Sequence, residues 1–376
     1  MFYPPYREDK RGIQMSKKSG KLCLLVGTRK GGFVFTSDSE RKSWKFTGPH
    51  LKGNEIYHMA YDARSGKFLA SLSSGHWGPT IATSKGTGED WKVSKTPPKF
   101  PKGSGQSVAK VWQIRPASED QPEVVYAGVE PACLFRSDDG GATWKVNEAM
   151  FNHRTRKKWQ PGGGGLCLHT ILVNKKRPKR VVIAISAVGA MKSEDEGESW
   201  TFINKGVMTG FQPDKYPEYG TCVHKLAINH SYPDVIFQQN HTGVYRSDDA
   251  GEGWKNIRTN LPSRFGFPAA VDSNEPRRFY LAPLEGDFSR IPIGGHFAVW
   301  TTDNAGKDWH KLDSGIPEVS YFTVLRDGMV VDQEDPCGVY FGTTTGQLFA
   351  SPNQGNSWER ITDGLPPILS VSVSRM

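Results

Sequence analysis

The chain has 376 residues, a formal net charge of +9, 36% apolar residues, 41 glycines and 25 prolines. No apolar run reaches the ~18 residues of a membrane helix. Its five cysteines, Cys23, Cys133, Cys167, Cys222 and Cys337, are scattered, odd in number and without metal-ligand spacing. That pattern argues against a disulfide framework and fits free thiols in a reducing cytoplasm.

Residues 1–20 (MFYPPYREDKRGIQMSKKSG) carry charges and prolines but no apolar core. They are expected to be a disordered basic tail rather than a signal peptide, with Met15 as an alternative start. From Lys21 onward, short runs rich in Val, Ile, Phe and Tyr are punctuated by Gly, Pro and Asp. None has the 3.6-residue period of a long helix, so the elements are strands.

The strands are grouped around a recurring octet. In chain order the copies are Ser37–Trp44, Ser84–Trp91, Ser137–Trp144, Ser193–Trp200, Ser247–Trp254, Thr302–Trp309 and Ser351–Trp358. Their first residues lie 47, 53, 56, 54, 55 and 49 positions apart, and seven of the eleven tryptophans fill the last slot. Two strand-like runs precede each copy and one follows it, so each unit supplies strands A to D of a β-propeller blade. The expectation is an all-β, seven-bladed propeller spanning 21–376.

A strands are expected to start near Glu55, Lys110, Leu166, Cys222, Phe267, Gly328 and Ile368. B strands are expected near Lys21, Lys67, Val124, Arg180, Val235, Arg278 and Gly338. Lys21 opens a B strand that has no A strand of its own, while Ile368–Met376 is an A strand left over. Pairing the two closes the ring and removes its exposed edge.

The octet SDDGGATW (Ser137–Trp144) reads as a turn. An Asp side chain can accept from backbone N–H groups two residues on, glycine takes a positive φ, and the indole packs between blades. A calcium loop would need a longer run of oxygen ligands ending in Glu. The octet resembles the Asp box, Ser-x-Asp-x-Gly-x-Thr-Trp, of the Asp-box (BNR-repeat) β-propellers. Ser137, Asp139, Gly141, Thr143 and Trp144 match every fixed position. Asp195 and Asp249 keep the acid, Asn304 and Asn353 replace it, and Ser39 and Gly86 depart from it.

The box implies the fold over 21–376 and no single activity, since sialidases, xyloglucan-degrading enzymes, the sortilin receptor domain and a photosystem II assembly factor share it. The stretches VGTRKGGFVF, PGGGGLCLHT, QQNHTGVYRSDD and FGTTTGQLF most resemble bacterial single-propeller proteins labelled sialidase-like or glycosyl-hydrolase-like. Sialidase activity itself is not expected. The SRIP stretch (Ser289–Pro292) approximates the Phe-Arg-Ile-Pro motif of sialidases but precedes the sixth octet, not the first, and no nucleophilic Tyr with a Glu partner can be assigned.

D–A and B–C loops share one face, so a channel-mouth site draws on early A-strand and late B-strand residues. His58, Gln113, His169 and His224 are early in A strands. His76, Trp77, Glu130, His241, Glu285 and Asp287 are late in B strands or just beyond. The loop at Gly162–Gly165 allows close backbone approach, and Arg264 and Arg290 lie in neighbouring loops.

Glu130, Glu285 and Asp287 are the candidate catalytic carboxylates, with Glu130 and Glu285 suited to the acid and base of glycoside hydrolysis. His58, His76, Trp77, Gln113, Arg264 and Arg290 are candidate substrate contacts. His169, His224 and His241, with an oxygen from Glu130, are a candidate divalent-metal set for Zn²⁺, Mn²⁺ or Fe²⁺. Each histidine has a plainer reading as a hydrogen-bonded packing residue, and the glutamates as rim salt bridges with Arg264 or Arg290. Convergence of several such groups from different blades favours a site, because a buried polar cluster is costly unless paired or functional.

The basic clusters RTRKK (Arg154–Lys158) and KKRPKR (Lys175–Arg180) fall on opposite faces, so a nucleic-acid groove is not expected. The expected function is a carbohydrate-active enzyme, a glycosidase-like hydrolase or a lyase, acting on a small molecule or oligosaccharide. The alternative is a non-catalytic ligand- or protein-binding propeller resembling the photosystem II assembly factor.

Overall fold

The computed structural model describes residues 20–74, 78–86 and 88–376. They form seven four-stranded sheets set in a ring, a seven-bladed β-propeller. The A strands of blades one to seven are Ile368–Arg375, Glu55–Asp62, Lys110–Pro116, Leu168–Asn174, Val223–Ile228, Phe265–Val271 and Met329–Val331. The B strands are Leu22–Thr28, Lys67–Ser73, Val125–Glu130, Arg177–Ile185, Ile236–Asn240, Phe279–Leu284 and Val339–Gly342. The expected tail at 1–20 lies almost wholly outside the described residues.

The ring closes as the leftover strand requires. Leu22–Thr28 pairs antiparallel with Ile368–Arg375, placing Leu24 opposite Val373 and Val26 opposite Val371. Leu22, Leu24 and Val26 share one apolar cluster with Tyr340, Leu348 and Ile368, which ties blade one to blade seven. Leu22–Thr28 is buried at every position, because a blade packs against a neighbour on each face.

The octets are turns that also fasten blades together. In blade three, Asp139 Oδ1 accepts from the N–H groups of Ala142 and Thr143 at 3.0 and 2.8 Å, and Oδ2 accepts from the Thr143 hydroxyl at 2.7 Å. Gly141 N–H donates to Ser137 Oγ at 2.8 Å from a φ of +92°, a conformation that favours glycine. The Trp200 indole N–H reaches back to Asn147 Oδ1 of the preceding blade at 3.0 Å. Trp254, Trp309 and Trp358 reach back likewise, to the carbonyls of Ile203, Ile257 and Leu312. Trp44 and Trp91, whose octets lack Asp or Asn in the third position, are only half-buried, whereas the other five are buried.

The A strands carry the feature that shapes the site. The A–B ladder breaks between Ile56 and His58, Val111 and Gln113, Leu168 and Thr170, Val223 and Lys225, and Gly266 and Ala269. In the closing strand it breaks between Ile368 and Ser370. Each break is a β-bulge, which re-aims the residue it expels from the ladder. The expelled residues are Tyr57, Trp112, His169, His224, Phe267 (with Pro268) and Leu369.

Candidate functional site

Five of these bulged residues, Tyr57, Trp112, His224, Phe267 and Leu369, line one cavity of about 610 Å³ at the channel mouth. Its walls come from the D–A loops, including Gly162–Gly164 and Arg326, and from the B–C loops carrying Asp287 and Arg290. This volume lies within the range of small-molecule sites, about 300–1,000 Å³. Two non-glycine lining residues, Ala187 and Arg290, hold left-handed φ values of 58° and 50°. Strained backbone of that kind persists where the surroundings enforce it.

The cavity is aromatic and cationic. The Arg326 guanidinium lies over both the Trp112 and Phe267 rings, 5.6 and 5.4 Å from their centres. Its Nε is buried with no hydrogen-bond acceptor, and among the described residues no carboxylate pairs with the group. Arg290 also stacks on Phe267, at 5.5 Å, and donates from Nε to the Asp287 carbonyl at 2.9 Å. Sequence reading had no signal for Arg326, because its loop precedes the shortest A strand and nothing local marks it.

The bulges correct the expected register. A shift of one residue turns a side chain to the other side of a strand. Tyr57 and Trp112 therefore face the cavity, and His58 and Gln113 are buried beneath it. Among the described residues His58 Nδ1 has no hydrogen-bond partner, and burial lowers the imidazole pKa to about 4. Gln113 is structural: Nε2 donates to Asp327 Oδ1 at 3.1 Å, and Oε1 accepts from Ile171 N–H at 2.5 Å. Lys225 closes the axial cluster by pairing with Asp327.

The histidines separate into two kinds. His169 is fully buried, with Nε2 on the Val223 carbonyl at 3.1 Å and Nδ1 on the Thr170 hydroxyl at 3.0 Å. Both ring nitrogens are engaged, so His169 does not present a ligand atom to the cavity. His224 and His241 do meet there, their rings edge to face at 5.6 Å. His224 Nδ1 donates to the Gly266 carbonyl at 2.7 Å, and His241 Nε2 to Asp287 Oδ2 at 3.2 Å. Burial lowers the pKa of both, His224 well below the usual range, and Asp287 partly opposes the shift at His241. Cys222 joins them on the wall, its thiol pKa raised by burial.

The candidate carboxylates part company. Asp287 lines the cavity. Glu130 lies behind the wall, accepting the Trp112 indole N–H at 3.0 Å. It presses so closely on the glycine loop that a Cβ on Gly165 would sit 2.3 Å from its Oε1. Glu285 is exposed outside the cavity, its carboxylate accepting a long hydrogen bond from Gly294 N–H at 3.4 Å. Arg264 is exposed and off the lining, reaching His241 only through its charge. His76 and Trp77 lie outside the described residues. The basic clusters have acidic neighbours, Arg154 on Glu218 and Arg180 on Glu194 and Asp234, and the second runs into the B strand Arg177–Ile185 rather than staying within a turn.

No family model matches the chain. It is 29% identical over 150 residues to a vacuolar protein sorting/targeting protein 10 of Fusarium vanettenii, covering 39% of this chain and 9% of that one. It is 25% identical over 170 residues to a xyloglucanase of Acetivibrio thermocellus, covering 41% and 18%. The chain thus spans less than a fifth of the length of these relatives. Among solved structures, an ancestral GH74 enzyme superposes with a TM-score of 0.60 at 14% identity, covering 92% of this chain and 40% of the other. YCF48 bound to a D1 peptide superposes at 0.54 and 12% identity, covering 96% and 98%. These likenesses to solved structures are ones of fold: the chain is a seven-bladed propeller with enzymes and a peptide-binding protein among its structural neighbours.

Proposed function

We propose that the channel-mouth cavity is a carbohydrate-active site for an acidic saccharide, of glycosidase-like hydrolase or lyase type. The observation that carries this reading is the Arg326 guanidinium, held between two aromatic rings with, among the described residues, no acceptor at its buried Nε and no carboxylate partner. A planar carboxylate is the group that completes such a cation, and Arg290 stands beside it as a second donor. Tyr57, Trp112 and Phe267 give the cavity wall an aromatic lining beside these cations. Asp287 and His241 are the hydrogen-bonded pair on the cavity able to move a proton. The sequence likeness to a xyloglucanase supports a carbohydrate over another small acid.

A screen of uronide-containing and neutral oligosaccharides tests this. Turnover confined to the acidic substrates and lost in Asp287→Asn supports it, and turnover insensitive to that change refutes the assignment. One observation favours a second, non-catalytic reading: Phe288, next to Asp287 on the rim, is 99% exposed. Under it a peptide would lie over Phe288 and insert its terminal carboxylate. Pull-down of a protein through Phe288, with no turnover of any glycan, would favour that alternative.

A further inference from the structure

We infer that Cys222, His224 and His241 form a binding site for one divalent cation of the Zn²⁺ class on the cavity wall, with a coordination position open to the cavity.

The three side chains each offer one donor atom, and these atoms lie within 4.8 Å of one another. Bound to a tetrahedral Zn²⁺ at its usual bond lengths, such donors stand roughly 3.3–3.6 Å apart. The set therefore closes on an ion by small side-chain rotations.

The hydrogen bonds around the histidines point the same way. A metal-bound imidazole characteristically donates its second ring N–H to a carbonyl or a carboxylate, which fixes the tautomer. His224 gives Nδ1–H to the Gly266 carbonyl and His241 gives Nε2–H to Asp287. That leaves His224 Nε2 and His241 Nδ1 as lone-pair donors, and neither has a protein partner among the described residues. One thiolate with two imidazoles is a soft to borderline donor set, which selects Zn²⁺ over Mg²⁺ or Ca²⁺. The thiolate and Asp287 also supply negative charge against Arg290 and Arg326. The expected set of three imidazoles with Glu130 is thereby replaced: His169 has both nitrogens engaged, Glu130 is behind Trp112, and Cys222 takes the vacant corner.

The inference stands independently of the acidic-saccharide reading. With an ion present, the open position would hold the water that acts as base, and His241 would be a ligand in place of a proton carrier. Full-length protein is stripped with a chelator, dialysed, and titrated with Zn²⁺ and with Co²⁺ as a coloured probe. The expected result is one equivalent of either ion. The Co²⁺ form should show a thiolate-to-metal charge-transfer band and the intense d–d bands of a four-coordinate ion. Cys222→Ser should abolish the charge-transfer band.

Cys222 and His224 are buried, so Asp287→Asn on the half-exposed rim supplies a variant that keeps the fold. It should weaken the ion by about ten- to a hundredfold, while Glu130→Gln leaves affinity and stoichiometry unchanged. Uptake below about a tenth of an equivalent, Co²⁺ bound without thiolate character, or undiminished affinity in both Cys222→Ser and Asp287→Asn overturns the site. Saccharide binding measured on the stripped protein reports on Arg326 separately, so the two readings fail independently.

Discussion

His241 Nε2 and Asp287 Oδ2 stand 3.2 Å apart, joining the B–C loops of blades five and six across the cavity rim. Asp287 holds the ring in one orientation, whether His241 passes a proton or binds an ion. Replacing Asp287 by Asn keeps the size but removes the charge. Turnover of the best acidic substrate should fall by about a hundredfold or more, the usual contribution of a positioned acid or base. Glu285→Gln, outside the cavity, should stay within about twofold of the parent rate. Steady-state kinetics of the two variants side by side checks this.

Buried imidazoles make the fold acid-sensitive. His58 is lowered by burial from 6.5 to about 4, and His169 and His224 are lowered in the same direction by burial. A depressed folded-state pKa means that unfolding takes up protons. The stability is therefore full above about pH 6.5 and is lost as the pH falls toward about 4, by up to about 3 kcal/mol for His58 alone. Urea midpoints should decline across that window, and less steeply in His58→Leu. A flat profile contradicts the assignment.

Ring closure depends on the last strand. Truncation after Pro367 removes the partner of Leu22–Thr28 and exposes both Leu24 and the edge of blade one. Loss of cooperative unfolding, or aggregation, should follow. A truncated chain that melts like the parent would mean that closure contributes nothing.

The octets should behave as turns and not as ion sites. Asp139→Ala removes four hydrogen bonds from a half-exposed turn, a loss of about 1–2 kcal/mol. Added Ca²⁺ should leave the melting temperature of the parent unchanged.

The strand order, blade count and closure were legible because a repeated octet fixes the period and a leftover strand fixes the ends. The site was legible only as a face. Of the B–C loop candidates, His241, Asp287 and Arg290 line the cavity and Glu285, two residues before Asp287, does not. In the A strands a bulge, invisible in the sequence, moved the lining from His58 and Gln113 to Tyr57 and Trp112. Arg326 and Cys222 went unread for another reason: each gains meaning only from neighbours on other blades, Arg326 from Trp112 and Phe267 and Cys222 from His224 and His241.

The central claim is that Arg326 recognises an acid. Isothermal titration of an oligosaccharide ending in a uronate, against the same oligosaccharide ending in the neutral sugar, addresses it directly. A charge-assisted pair of this kind predicts acid binding about ten- to a hundredfold tighter than neutral, with that preference abolished in Arg326→Leu. Equal affinity for the two sugars, or an acid preference that survives Arg326→Leu, would contradict it.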